Sequence, residues 1–323
     1  MRVLRGKRLR GFSLCVAACL AATLGSAPAA RAASLNLPPE ATDGLRLLYS
    51  GQSGAALALF TRLEQQQPSD PLPYLLEADA QWWNIYCQAC EIQWGFIDAW
   101  HRDKNAGDDA YLALAEKATG LAEAGIAQHD TAEMELYAGM GYLLQARLLG
   151  LRDERRATVH AGVAARQHLL RCLQLDPQMT DAYTGLGLYN YYVDTLSAMA
   201  RVFRALMGIP GGDKQEGIRQ LKMAMNDGPL TGVEARFYLA KNLRTYDLQY
   251  AQAADILAPL VKQYPANPTF ALLMGNLEAE LGHNDSAAEF YRAATATPPS
   301  DAACAARVAL LARDSLAAPG PKR

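Results

Sequence analysis

An all-α chain is predicted, a right-handed solenoid of five to six helix pairs closed by a C-terminal capping helix. Three observations predict it. Half of the 323 residues are hydrophobic but only 8% are aromatic, with Ala and Leu dominant, a balance that favours helix over sheet. Glycine and proline are scattered as punctuation instead of forming a low-complexity tract. Prolines also recur behind apolar runs that share one internal helical spacing.

The first 32 residues stand apart. "MRVLRGKRLRG" is basic, "FSLCVAACLAATLG" is apolar but short for a membrane span, and "APAARAAS" offers a cleavage site after Ala32. This three-part layout predicts an export signal over 1–32 and a periplasmic or cell-envelope address. "VAAC" at 16–19 adds a second reading, a lipid anchor on Cys19. Removing 1–32 takes six of the 31 basic residues and no acid, leaving 25 against 33 and a balance near −8. An acidic chain without a basic stripe is a poor partner for nucleic acid. No later stretch reaches spanning length, so no transmembrane segment is expected in the mature chain.

The pairs follow in order. The first, near 37–70, has Gly44 in its first helix, then Ala56, Phe60 and Leu63 before Pro68. A longer helical stretch covers 71–129, with the path of 86–107 undefined. The unit at 130–177 opens on Asp130 and Thr131 as caps and ends with Ala165, Leu169 and Cys172 before Pro177. The fourth, 180–229, carries "DAYTGLGLYNYY" in its first helix and Gly217, Leu221 and Ala224 before Pro229. An insertion at 193–212 interrupts it. Its apolar Leu196, Met199, Phe203 and Leu206 alternate with Asp194, Ser197, Arg201 and Arg204. Asp213 with Glu216 then reads as a capping box. Ala253, Leu257 and Leu260 precede Pro265 in the fifth unit (234–265), and Ala287, Tyr291 and Ala294 precede Pro299 in the sixth (268–299). Residues 300–317 form the cap and 318–323 a disordered tail.

These runs of one spacing, each stopped by Pro, resemble the tetratricopeptide repeat (TPR), whose second helix reads small-x-x-x-aromatic-x-x-small before Pro. Antiparallel helices approach closely only where one side chain is Gly or Ala, and a large neighbour fills the space beside that contact. The layout "GLYNYY…GIPGGDKQEGIRQL" is similar to that of exported bacterial TPR proteins. The resemblance implies a scaffold that binds a protein or peptide partner in the concave groove lined by the first helices.

The strongest hint of chemistry is "IYCQAC", residues 85–90. A thioredoxin-like pair should leave a strand and open a helix, yet "LLEADAQWWNIY" before it is helical. Haem attachment needs His where Glu91 stands, and a zinc site needs four ligands. A local Cys87–Cys90 disulfide or packed free thiols remain as the leading readings, with a thiol-redox or metal-handling module as the alternative function. "GIPGGDK" lacks the phosphate-loop pattern, "GQSG" lacks that of a nucleophile elbow, and the five histidines are dispersed. No catalytic, cofactor or metal residues are expected. The candidate partner groove comprises Trp82, Trp83, Tyr189, Tyr191, Tyr192, Asn242, Tyr246 and Asn276, since aromatics supply contact area and Asn can bond an extended peptide backbone.

Overall fold

The computed structural model describes residues 35–318. The export signal, Cys19 and the tail beyond 318 lie outside the described residues, as do the side chains of Met199, Val202 and Phe203 in the insertion. Six antiparallel pairs run along the chain. They are α1 (Pro39–Tyr49) with α2 (Ser53–Gln66), α3 (Pro71–Ala89) with α4 (Asp108–Gln128), and α5 (Ala132–Leu151) with α6 (Arg155–Leu175). Then come α7 (Ala182–Thr195) with α9 (Lys214–Asp227), separated by the inserted α8 (Ala198–Leu206). The last pairs are α10 (Gly232–Thr245) with α11 (Tyr250–Gln263) and α12 (Pro268–Glu280) with α13 (Asn284–Ala296), and α14 (Ala302–Ala317) closes the series. The class is a TPR-like α-solenoid.

Local chemistry sets the starts. Asp70 accepts from Leu72 N, Thr131 from Met134 N and Asp301 from Cys304 N, each satisfying an otherwise orphaned helix donor. Asp213 accepts from Glu216 N, but the Glu216 carboxylate turns to Arg219 and Gln220 instead of back, so only half of the capping box forms. The apolar spacing of the second helices is the packing signature. Ala56, Phe60, Leu63, Ala165, Leu169, Cys172, Leu221, Ala224, Ala253, Leu257, Leu260, Ala287, Tyr291 and Ala294 are all buried. Their large members press on glycines of the first helices. A methyl group on Gly275 would stand 2.7 Å from the Tyr291 ring, and one on Gly187 would stand 2.7 Å from Leu221.

Residues 90–99 leave the helical pattern. Between α3 and α4 lie two antiparallel strands, β1 (Cys90–Gln93) and β2 (Phe96–Ala99), with Ile92 opposite Ile97 and Gln93 opposite Phe96. Trp94 and Gly95 both take positive φ, 54° and 84°, the mark of a two-residue turn whose twist matches the strands.

The two ends of the solenoid meet. Trp83 of α3 packs its ring 5.0 Å from Phe237 of α10, 5.9 Å from Phe270 of α12 and 5.8 Å from Tyr49 of α1. Asn267 before α12 donates to Tyr49 O (2.9 Å), and Ser300 Oγ accepts from Gly54 N (3.0 Å). Cys87 of α3 is disulfide-bonded to Cys304 of α14 across 217 positions, their Cα atoms 5.3 Å apart. The expected local bridge to Cys90 is therefore corrected. α14 crosses the end of α3 and brings its own cysteine there, whereas Cys90 has turned into the strand and stays a buried free thiol.

Candidate functional site

The face formed by the first helices is filled by the chain itself. The hairpin lies against α10 and α12, where Asn276 grips its backbone from both sides. Asn276 Oδ1 accepts from Ile97 N (3.3 Å), and its Nδ2 donates to Gly95 O (2.8 Å). Arg244, fully buried, donates to Ile97 O (2.9 Å), Asn276 Oδ1 (3.1 Å) and Asp98 Oδ2 (3.2 Å). Lys241 stands 3.4 Å from the same Asp98 carboxylate, and Tyr86 donates to its other oxygen at 2.7 Å. Burial works against the Lys241 ammonium, but the Asp98 charge more than reverses that and raises its pKa. A buried charge survives only when paired in this way. Asn276 thus does what the groove reading assigned to it, holding extended backbone, but the backbone is the protein's own.

A second polar cluster lies deeper. Arg147 of α5 forms a two-pronged pair with Glu234 of α10 (2.7 and 2.6 Å) and reaches Asp79 of α3 at 3.3 Å. Its guanidinium sits 5.2 Å from the Tyr238 ring. Burial pushes the Asp79 carboxyl well up, and the Glu234 charge adds to that. Trp82 donates to Tyr238 OH at 2.9 Å, both buried. The adjoining cavity offers about 20 Å³ of water-accessible space, room for one or two waters and not a ligand.

The expected groove residues therefore separate. Trp82, Trp83, Tyr191, Asn242 and Asn276 are buried. Tyr191 donates to Asn242 O (3.1 Å) and Asp247 (2.8 Å), and Tyr192 donates to Asn242 Oδ1 (2.9 Å). Tyr189, half-buried, donates to Pro210 O at the foot of the insertion (2.9 Å). Tyr246 alone is exposed, at 47%. Most of these side chains are therefore taken up by packing within the chain, with the hairpin held against α10 and α12. Arg244, Lys241 and Asp98 were missed. Their signal was present as charges set inside apolar runs, "FYLAKNLRT" and "FIDA", which points to buried pairs.

Among the described residues the free cysteines are Cys90 and Cys172, both buried. Burial pushes the Cys90 thiol far up, and Cys172 is raised to about 12 for the same reason; a nucleophilic thiol needs the opposite. Among the described residues no group of three His, Cys, Asp or Glu side chains is placed to hold a metal. No described helix is long and apolar enough to cross a membrane.

What is exposed lies elsewhere. Of the large apolar side chains open to solvent among the described residues, Ile92, Trp94, Leu196, Leu206, Met207, Tyr246 and Leu248 all fall in connections from the first to the second helix of a pair. Trp94, 76% exposed, meets Trp100 edge-on at 5.1 Å. Beside the hairpin, Phe96 packs 6.1 Å from Tyr250, at the end of the connection that carries Tyr246 and Leu248.

No protein-family model matches the chain. No curated protein matches it in sequence. Among solved structures it is similar to a thermophilic TPR protein of Thermus thermophilus, at 16% identity and a TM-score of 0.33, over 84% of this chain and 96% of that one. The class rests on the helix pairing described above, an α-solenoid of TPR-like helix pairs.

Proposed function

We propose that the protein is an exported, non-enzymatic scaffold whose protein partner docks on the apolar surface around the hairpin tip. The observation that carries this is Trp94. A tryptophan held at positive φ and three-quarters exposed costs stability, and strained exposed residues cluster at contact sites. Tyr246 and Leu248 on the neighbouring connection extend the patch, which suits a partner that buries an aromatic anchor. Export is supported by the disulfide, since such bonds persist in oxidising compartments. The thiol-redox alternative is disfavoured by the inaccessible Cys90. A mass measurement of the mature N-terminus separates simple cleavage after Ala32 from acylation at Cys19.

A photocrosslinking residue at position 94 or 246, compared with one at the buried position 191, tests the docking surface. Adducts to the same protein from 94 and 246, lost with Leu248→Asp, support it. Adducts from neither would remove the tip from the reading.

A further inference from the structure

The insertion between α7 and α9 has no place in that surface. Its feet are pinned: Lys214 N donates to Asp194 (3.2 Å), Tyr189 OH to Pro210 O (2.9 Å), and Arg204 Nη1 to Ile209 O (2.7 Å). Ser197 caps α8 by accepting from Ala200 N (3.3 Å). Among the described residues no neighbouring helix packs along α8. At its end Leu206 and Met207 are 78% and 69% exposed, and Gly208 at φ 68° turns the chain back beneath them. The apolar end is therefore a projection, not a groove.

Its charge differs from the rest of the chain. Between Asp194 and Asp213 there is no acidic residue, while Arg201 and Arg204 are present. Arg166 of α6 lies at the foot of the insertion over the Tyr189 ring, 5.4 Å from its centroid. Most other arginines of the solenoid core meet a carboxylate, as Arg147 and Arg244 do. Among the described residues none of these three forms an ion pair. The insertion thus carries Arg201 and Arg204 without a paired carboxylate next to its exposed apolar end, with Arg166 at its foot.

We propose that the 195–212 insertion is a contact for an anionic lipid surface, with Leu206 and Met207 entering the acyl boundary and Arg201 lying among the headgroups. Short amphipathic elements with arginine on the polar face bind in this way. An acidic protein fits less well, because a convex tip gives a peptide no concavity to fill. The contact is separate from the hairpin-tip surface and does not depend on it.

The test places an environment-sensitive fluorophore on Leu206→Cys in the full chain with Cys15 and Cys19 changed to Ser. A second chain carries the label on Leu316→Cys, also exposed (46%) but on α14. Each is titrated with phosphatidylcholine vesicles with and without phosphatidylglycerol. The expected result is a blue shift and brightening at 206, on the anionic vesicles only, with no change at 316. Arg201→Gln should weaken the response about five-fold, and added salt should weaken it further. A label at 206 that stays in water while the chain sediments with vesicles would overturn the proposal. Equal responses on neutral and anionic vesicles, or a shift caused by a soluble acidic protein and not by vesicles, would do the same.

Discussion

Arg244 holds the hairpin through a backbone carbonyl, a carboxylate and an amide at once, with none of its surface exposed. Replacing it by Met keeps the volume but leaves Asp98 to Lys241 and Tyr86. Removing one partner of a buried pair costs about 3–5 kcal/mol, so urea unfolding of Arg244→Met should show a loss of that order. Glu77 gives a pH signature. Burial, with the Glu64 carboxyl close by, lifts its pKa to about 7, against about 4.3 in an unfolded chain. Between those values the folded state binds the extra proton, so this group lowers stability as pH rises from about 4 to about 7, and no further above. Glu77→Gln should flatten that decline and exceed the wild type in stability at pH 8, as chemical denaturation across pH would show. Single residues were only partly legible in the sequence. Asn276 could be recognised as a backbone clamp from its type, but its target lies about 180 positions away, beyond any local pattern.

Among the elements, the second helices were the most legible. Their small and large positions recur at fixed spacing because each must meet its first helix closely, in several pairs at a glycine, as Tyr291 meets Gly275. The hairpin was hidden. Its turn is Trp-Gly, where Asn-Gly is the familiar signal, and its strands are four residues each, shorter than a pattern can certify. The same mismatch is testable. Trp94→Asn supplies the residue the turn geometry favours, so its melting temperature should equal or exceed that of the wild type, while adducts to the partner disappear. A variant that loses stability and partner together would make Trp94 structural.

For the whole molecule, the repeat class was predictable but the meeting of its ends was not, since Cys87 and Cys304 share no local motif. Tying residues so far apart restricts the unfolded chain strongly; Cys304→Ser should cost about 2–5 kcal/mol, read by denaturation without reductant. Thiol counting checks the pairing directly. Within residues 33–323, denaturation alone should reveal two thiols, Cys90 and Cys172, and reduction should raise that to four.

The order of synthesis gives that bond a further meaning. Cys87 and Cys90 leave the ribosome more than two hundred residues before Cys304 exists, so for most of translation the nearest thiol available to Cys87 is the wrong one. The native bond can form only once the final helix has been made. A nascent chain halted before Cys304 would carry either a free Cys87 or a mispaired one.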